Sequence, residues 1–335
     1  MYNSKITGLG YFVPENVVTN DDLKQWMETS DEWIQERTGI KERRWIDPAT
    51  GETTSSMAVK ASKIAIERAG LTKDDIDFIV FATLSPDMYF PGGGVRVQDM
   101  LDMPTIGALD VRNQCSGFIY SLSVADQFIK TGMYKNILVI GAENHSGGLE
   151  RSNRGRNVTV IFGDGAGAAV LSRSEEDGKG ILSSHLHSEG KHAKELALEG
   201  PSTSRWVPEI IAENNPDDES YFPYMNGQFV FKHAVVRFSE AIVEGLEANG
   251  LQKEDINMLI PHQANLRIAQ FIQRKFQLKD DQVYNNIMNY GNTTAASVII
   301  ALTEAWEKGK INEGDLVVLA AFGSGFTWGS VVIRW

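Results

Sequence analysis

The sequence predicts an α/β fold built from two similar halves, and two kinds of observation support this. Apolar stretches of strand length alternate with helical patterns along the whole chain. The segment GLTKDDIDFIV (70–80) returns 180 residues later as GLQKEDINMLI (250–260), each time after an amphipathic helix. We therefore expect one half to span residues 1–172 and the other to span 173–335, related by a pseudo-twofold axis.

A second repeat locates a central helix in each half. CSGFIYSLSVADQFIKTG (115–132) matches NTTAASVIIALTEAWEKG (292–309), because small polar residues open each helix and a glycine ends it. This match places Cys115 and Asn292 at equivalent helix starts, while His262 closes the strand of the second GL repeat. We expect these side chains to gather where the halves meet, which is a favoured place for substrate sites.

The composition indicates a soluble, cytoplasmic protein of 335 residues. Apolar residues make up 42% and charged residues 23%, and no apolar run approaches the roughly 18 residues that cross a bilayer. The first residues lack the pattern of a signal peptide. The net charge of −12 disfavours nucleic acid and anionic membranes as partners. One cysteine excludes internal disulfides and a Cys-rich zinc site, and no metal is expected.

Two further segments require an interpretation. Residues 188–220, with eight acidic residues and three prolines, read as a surface insertion in the second half. Its apolar residues Trp206, Val207, Ile210 and Ile211 suggest a lid, and a loop without function is the alternative. FGDGAGAAVL (162–171) is rich in glycine, but it lacks the strand, turn and helix of a dinucleotide site, so we predict a tightly packed strand.

Cys115 is the candidate nucleophile. Unpaired N–H groups and the dipole at a helix start stabilise an anion, so we expect a lowered thiol pKa. Taken alone, Cys115 could equally be an inert buried residue, His262 an ordinary core or surface histidine, and Asn292 a helix cap. The repeat, which brings the three together, favours a catalytic set.

The sequence resembles the 3-oxoacyl-[acyl-carrier-protein] synthase III condensing enzymes of the thiolase superfamily. The resemblance covers nearly the whole chain, and its motifs are SDEWIQERTGIKER (30–43), Cys115 in RNQCSGF, FGDGAGAAVL, MNGQFVFKHAV (225–235), PHQANLRI (261–268), GNTTAAS (291–297) and FGSGFTWGS (322–330). It implies a duplicated thiolase-like fold, layered α-β-α-β-α, with two mixed sheets and central helices. It also implies a homodimeric acyltransferase.

By this resemblance, Cys115 takes an acyl group as a thioester, and malonyl-acyl carrier protein then loses CO2 and attacks it. His262 and Asn292 would stabilise the charge formed on decarboxylation, and the backbone N–H groups of Cys115 and Ser324 would hold the second oxyanion. The family usually has glycine at position 324. We expect a backbone donor to tolerate the serine.

The resemblance also assigns substrate contacts. Trp33, Arg37 and a further arginine, Arg156 or its neighbour Arg154, would bind coenzyme A, which is a substrate and not a permanent cofactor. Phe90 would reach the acyl pocket of the other subunit. A basic patch for the acidic carrier protein would comprise three residues of the helix that follows PHQAN and one residue of the earlier segment VFKHAV: Lys232, Arg267, Arg274 and Lys275.

Several alternatives remain open on sequence grounds. A relative with the same three residues could join longer acyl or 3-oxoacyl units, as in dialkylresorcinol-type biosynthesis, and the 188–220 segment is consistent with this. A non-catalytic partner subunit that binds acyl chains is a further alternative, although the intact Cys115, His262 and Asn292 argue against it. If the 188–220 segment is a lid, we expect a preference for medium or longer acyl donors.

Overall fold

A computed structural model describes residues 2–204 and 207–335 of the chain. The strands are β1 (Asn3–Phe12), β2 (Val17–Thr19), β3 (Glu42–Arg44), β4 (Phe78–Ala82), β5 (Gly107–Val111), β6 (Asn136–Glu143), β7 (Gly165–Ser174), β8 (Gly180–Ser188), β9 (Leu196–Ala197), β10 (Tyr224–Met225), β11 (Met258–Pro261), β12 (Leu316–Gly323) and β13 (Thr327–Arg334). The helices are α1 (Asp31–Thr38), α2 (Thr54–Arg68), α3 (Gly93–Met100), α4 (Gly117–Lys130), α5 (Arg156–Thr159), α6 (Val207–Glu213), α7 (Gly227–Ala248), α8 (Leu266–Phe276), α9 (Ile287–Tyr290) and α10 (Ala295–Glu307).

The two main sheets have the same strand order. The first runs β1-β7-β6-β4-β5, with β4 parallel to β5 and β6, and with β7 antiparallel to β1 and β6. The second runs β8-β13-β12-β11, with β11 parallel to β12 and β13 antiparallel to its two neighbours. Leu259 of β11 also forms a parallel bridge to Val283. This bridge corresponds to the parallel pairing of β4 with β5 in the first sheet. Both sheets are therefore mixed, and one topology occurs twice.

The GL repeat has the same local structure in both copies. Each copy follows a long helix, α2 or α7, and contains a 3-10 turn, Lys73–Asp75 or Lys253–Asp255, that opens with a capping box. In both, the aspartate of that box accepts a hydrogen bond from the backbone N–H three residues earlier. Strand β4 or β11 then follows and pairs in parallel with β6 or β12 of its sheet. Similar sequence thus produces the same helix–turn–strand unit in each half.

Two helices fill the space between the sheets. The central core cluster joins α4 and α10 to inner-facing residues of both sheets, including Val139, Leu171, Ile260 and Leu319. Helix α10 is buried from Ala295 to Ala305, because it lies between the two sheets beside α4. Helices α2 and α3 cover the outer face of the first sheet, and α7 and α8 cover that of the second. The layers are α-β-α-β-α, as the sequence predicts.

The glycines of FGDGAGAAVL serve packing. Most of the segment forms β7, and a Cβ added to Gly167 would lie 2.4 Å from Cγ2 of Ile299 on α10. The segment is therefore the closely packed strand expected from the sequence, since a larger residue would push the central helix away.

The connection between the two sheets lies at residues 175–179, just beyond the boundary predicted near 172, because β7 continues to Ser174. The 188–220 segment contains a 3-10 stretch (Gly190–Glu195), strand β9 and helix α6. Strand β9 pairs with β10, which follows the segment. Within the described ranges, no helix combines the length and the apolar character that crossing a membrane requires.

Candidate active site

A cavity of about 710 Å³ lies at the N-terminal ends of α4 and α10, where the two halves meet. Seven of the residues predicted from the sequence line it: Trp33, Arg37, Cys115, Lys232, His262, Arg267 and Asn292. Phe90, Arg156, Arg274, Lys275 and Ser324 are not among its lining residues. The structure thus gathers the three predicted catalytic side chains around one space, although they are far apart in sequence.

Cys115 lies in a 3-10 turn, Gln114–Ser116, that leads directly into α4. Gln114 has a φ of 44°, a left-handed conformation that is strained for a residue other than glycine. The turn after β12 runs against the sulfur, since a Cβ on Gly323 would lie 2.9 Å from Sγ. The backbone N–H groups of Cys115 and Ser324 are directed at the thiol. A glycine at position 323 is therefore necessary for this close approach.

The expected low pKa of Cys115 is wrong for the free enzyme. Burial, together with the nearby Glu143 carboxylate, raises the pKa of the thiol to about 12. Hydrogen bonds from Thr294 and from the two backbone N–H groups lower it by less. A helix start favours the thiolate, but the desolvation of the buried sulfur is the larger effect. Cys115 is therefore a thiol at neutral pH.

His262 follows Pro261 at the end of β11 and is 2% exposed. Its Nδ1 lies 2.5 Å from Oγ of Ser297 on α10, and that Oγ also accepts the backbone N–H of Gln263. The hydroxyl is thus free to donate to Nδ1, which places the ring proton on Nε2. Nε2 has no partner within the described residues. Burial, with His145 nearby, lowers the pKa of His262 to about 3, so the ring is a neutral donor.

Asn292 is held by the backbone on both sides. Its N–H donates to the carbonyl of Ile161, and its own carbonyl accepts from the N–H of Gly163. The side-chain Oδ1 accepts the N–H of Thr294 at 2.8 Å, which leaves the amide Nδ2 as the group that can donate into the cavity. Asn292 therefore orients a donor in the cavity, and it is not the N-cap of α10, which is Thr294.

Three supporting residues were not predicted from the sequence. Ser297 orients His262, and Thr294 bridges the Cys115 thiol to the buried His145, whose Nε2 lies 2.7 Å from the threonine hydroxyl. Thr294 adopts a φ of 48°, which is unusual for a β-branched residue. Ser297 and Thr294 belong to the motif GNTTAAS, so the motif itself was the available signal. Nothing local in the sequence distinguishes His145 from the other histidines.

At the cavity entrance, two arginines face the same indole ring. The guanidinium carbons of Arg37 and Arg156 lie 4.6 and 4.8 Å from the ring centre of Trp33. Arg156 also donates to the carbonyl of Glu28. Arg154 instead pairs with Glu150 and Glu219. The geometry therefore favours Arg156 over Arg154 as the arginine that accompanies Trp33.

The predicted basic patch is divided between two places. Lys232 and Arg267 are exposed and line the cavity, and Arg274 is exposed seven residues further along the same face of α8, about 10 Å away. Lys275 lines a separate groove with Glu240, Glu244 and Glu247. Lys275 is therefore not part of the cavity mouth, because the extra residue rotates it to another face of α8.

Two predicted features lie at the surface. Phe90 is 83% exposed, and Met88 and Tyr89 beside it are also exposed, so one chain alone leaves an apolar loop uncovered. In the 188–220 segment, Leu196 lines the cavity, but Ile210 does not and Ile211 is 71% exposed. Trp206 and the side chain of Val207 lie outside the described residues. The prediction that the apolar residues of α6 face the cavity is therefore wrong for Ile211, because Ile211 points to solvent.

Comparison with known proteins agrees with this geometry. The family model of 3-oxoacyl-[acyl-carrier-protein] synthase III matches residues 109–190, and the model of its C-terminal part matches residues 246–335. The chain is 48% identical to the beta-ketoacyl-[acyl-carrier-protein] synthase III of Caldanaerobacter subterraneus subsp. tengcongensis, covering 98% of this chain and 97% of the relative. It is 45% identical to that of Rhodospirillum centenum, covering 99% of each.

A solved structure extends the agreement to the fold. The crystal structure of 3-oxoacyl-[acyl-carrier-protein] synthase III from Aquifex aeolicus superposes with a TM-score of 0.90 at 41% identity, covering 99% of this chain and all of the other. Sequence and fold thus agree over nearly the full length. The chain belongs to the 3-oxoacyl-[acyl-carrier-protein] synthase III family.

Proposed function

We propose that this protein condenses an acyl thioester with malonyl-acyl carrier protein to give 3-oxoacyl-acyl carrier protein and CO2, with Cys115 as the acylated nucleophile. One observation carries the assignment of roles. A buried thiol, flanked by two backbone N–H groups, shares one cavity with the Nε2 of His262, which has no partner within the described residues, and with the amide of Asn292. A nucleophile and a separate pair of neutral donors suit a reaction in two stages.

The first stage transfers the acyl group. The sulfur of Cys115 attacks the thioester carbonyl of an acyl-coenzyme A, and the resulting oxyanion accepts hydrogen bonds from the N–H groups of Cys115 and Ser324. Coenzyme A leaves as a thiol, so the proton of Cys115 ends on the departing sulfur. Because the Ser324 donor belongs to the backbone, its side chain is free to donate elsewhere, and it donates to the carbonyl of Leu196.

The second stage uses the donor pair. Loss of CO2 from the malonyl group leaves an electron pair that is delocalised onto the thioester oxygen, where His262 Nε2–H and Asn292 Nδ2–H would stabilise it. A neutral ring suits this role, because an acidic imidazolium would protonate the carbanion and stop the reaction. The carbanion then attacks the acyl carbonyl, and the new C–C bond forms as the C–S bond to Cys115 breaks. The thiolate of Cys115 then takes up a proton from solvent water.

The entrance residues suit a nucleotide and an acidic carrier. The Trp33 ring, with Arg37 and Arg156 over it, offers a stacking surface beside positive charge, which fits the adenine and phosphates of coenzyme A. Lys232 and Arg267 at the mouth, with Arg274 further along α8, form a local basic surface on a chain of net charge −12. Coenzyme A acts here as a substrate, and the chain needs no permanent cofactor.

We infer a homodimer from the uncovered apolar surface beside β5. This strand ends its sheet, Leu109 on it is exposed, and the exposed loop of Met88, Tyr89 and Phe90 precedes the helix that packs on it. A second copy pairing with this edge would cover the loop and bring Phe90 to its partner's acyl pocket. We place the enzyme in the cytoplasm, where a single catalytic thiol stays reduced.

Intact-protein mass spectrometry tests the function. The protein is incubated with acetyl-, octanoyl- and longer acyl-coenzyme A donors, and malonyl-acyl carrier protein is then added. We expect a mass increase by one acyl group, its loss on addition of malonyl carrier, and a 3-oxoacyl product. Absence of the acyl adduct with every donor would contradict the reaction. An adduct that persists with malonyl carrier and is lost only with a second long acyl or 3-oxoacyl thioester would favour the longer-chain alternative.

A further inference from the structure

A second cluster of chemically competent side chains lies behind the FGSGF turn. It comprises Glu189 after β8, His192 in the 3-10 stretch and His233 on α7, and one ligand atom of each lies within 4.8 Å of the others. The Nε2 of His192 is 3.9 Å from Oε2 of Glu189. All three are partly buried, so the cluster is sheltered but remains open to solvent. None of the three lines the catalytic cavity.

We propose that Glu189, His192 and His233 form a binding site for a divalent transition metal of the Zn²⁺ class. Two imidazoles and one carboxylate are a donor set typical of Zn²⁺, and three protein ligands leave the fourth tetrahedral position for water. Zn–N and Zn–O bonds of about 2.0–2.2 Å require neighbouring donors to approach to about 3.4 Å. Small side-chain rotations therefore suffice to close the site.

The surroundings prepare the donors for a metal. The two histidine rings lie 4.8 Å apart and contact the rings of Phe229 and Phe326, which restrict how they turn. Burial and the neighbouring His192 lower the pKa of His233, so its ring is neutral and able to coordinate at neutral pH. Hydrogen bonds from Lys191 and Arg237 lower the pKa of Glu189, which keeps its carboxylate charged.

Two cations compete with the metal for the carboxylate. Arg237 contacts Oε2 of Glu189 at 3.1 Å, and the exposed Lys191 contacts Oε1 at 2.6 Å. A metal must share or displace these contacts, which weakens its binding. Removal of Arg237 should therefore tighten metal binding, whereas removal of either histidine should weaken it. This opposite response distinguishes coordination from a nonspecific loss of structure.

The site is coupled to the catalytic turn through the backbone. Glu189 exchanges two hydrogen bonds with Phe326, at 2.8 and 3.0 Å, and the Ser324 hydroxyl donates to the carbonyl of Leu196. The segment from Glu189 to Leu196 is thus fastened at both ends to the turn that presents the Ser324 N–H. A metal held by Glu189, His192 and His233 would join this segment to α7. We expect its binding to raise the melting temperature.

The test uses tag-free full-length protein stripped with a chelator. Co²⁺ is titrated and followed by its visible absorption, and Zn²⁺ affinity is measured by competition with a chromophoric chelator. We expect one metal per chain, and at least tenfold weaker binding in His192→Ala and His233→Gln. His187→Ala is the matched control, because His187 bonds to Glu244 and lies outside the cluster. His187→Ala should bind like the unmodified protein.

Arg237→Gln completes the design, and we expect it to bind Zn²⁺ severalfold more tightly. The proposal is overturned if the unmodified protein binds neither metal below about 100 µM, a weak affinity by any standard for a metal site. It is equally overturned if His192→Ala and His233→Gln bind as the unmodified protein does, since the metal would then be held elsewhere. Because His192 lies on a surface 3-10 stretch, its variant keeps the test valid if His233→Gln does not fold.

Discussion

The two halves of the molecule place different chemistry on the same framework. In the first half, the turn before α4 carries the thiol of Cys115; in the second, the turn before α10 carries the amide of Asn292. Both turns contain a strained residue, Gln114 or Thr294, with a φ near 45°. At the equivalent strand ends, the first half has Ala82 and the second has His262. The catalytic residues are therefore positions at which the two repeats have diverged.

This divergence separates the two substrates. The first half supplies the nucleophile and the stacked Trp33, Arg37 and Arg156, which we assign to the acyl donor. The second half supplies His262, Asn292 and the basic start of α8, which we assign to malonyl carrier protein. The comparison teaches that the side chains that bind each substrate should come mainly from one half, although the backbone N–H of Ser324, in the second half, also serves acyl transfer to Cys115. The following experiments test that division.

Replacing the nucleophile has the largest expected effect. Cys115→Ser should abolish both the acyl-enzyme mass increment and condensation, because a serine hydroxyl in the same buried place is a far weaker nucleophile. The measurement is mass spectrometry together with product formation, and an unchanged thermal melt serves as the folding control. Full activity in Cys115→Ser would refute the assignment.

The pH dependence of Cys115 alkylation shows whether burial or the helix start has the larger effect on the pKa of the thiol. With the pKa of Cys115 raised to about 12, its alkylation by iodoacetamide should rise about tenfold per pH unit from pH 6 to 9, a total of about a thousandfold. The sign follows because only the thiolate reacts and its fraction grows with pH. A plateau near pH 7 would mean that the dipole of α4 outweighs desolvation.

The donor pair should act on the malonyl substrate alone. His262→Ala and Asn292→Ala should each still become acylated on Cys115, but should release CO2 from malonyl thioester about a hundredfold more slowly or worse, because each removes one oxyanion donor. CO2 release is measured in parallel with acylation. Wild-type CO2 release in either variant would break the division between the halves.

Reversing charge on α8 should weaken carrier binding. The double variant Arg267→Glu, Arg274→Glu should raise the KM for malonyl-acyl carrier protein about tenfold, and more at low salt, since surface charges are screened by ions. Lys275→Glu, on the other groove, is the matched control and should change KM little. Acylation by a coenzyme A thioester should be unaffected. An equal loss in both assays would indicate damage to the fold.

The smallest effect concerns the two neighbouring arginines. Arg156→Gln should raise the KM for acyl-coenzyme A severalfold, because it removes a charge stacked on Trp33. Arg154→Gln should have less effect, since Arg154 pairs with Glu150 and Glu219. Initial rates of acylation measured against donor concentration decide between them. A larger effect at Arg154 would reverse the assignment.

The sequence was most informative where local pattern and repetition coincide. The GL repeat and the glycine-ended central helices follow from periodicity, and the duplication brings Cys115 and Asn292 together without any knowledge of contacts. The contacts between Ser297 and His262 and between Thr294 and His145 join residues far apart in the chain, so no local pattern reveals them. The direction of the Cys115 pKa was missed because a helix start is visible in sequence and desolvation is not.

Surface features were predicted less well for a similar reason. The spacing of charges in the sequence grouped Lys275 with Arg274. Successive residues of a helix point in directions about 100° apart, so Lys275 lies in a different groove from Arg274. The apolar residues of 188–220 suggested an inner face, yet Ile211 points to solvent in a single chain. The role of such surface residues depends on the residues that pack against them, including those of the second copy that we infer. The sequence pattern does not show these contacts.

The central layer makes each half depend on the other. Helix α10 is buried along most of its length, and it is covered by both sheets together with α4. One half expressed alone would expose a whole face of its central helix to water. A small domain with so large an exposed apolar surface is not stable as a soluble monomer. A single unit of this kind would therefore be stable only as a pair, with two identical helix starts at its interface. In one chain that holds both units, the two helix starts differ, so that one carries the thiol of Cys115 and the other the amide of Asn292.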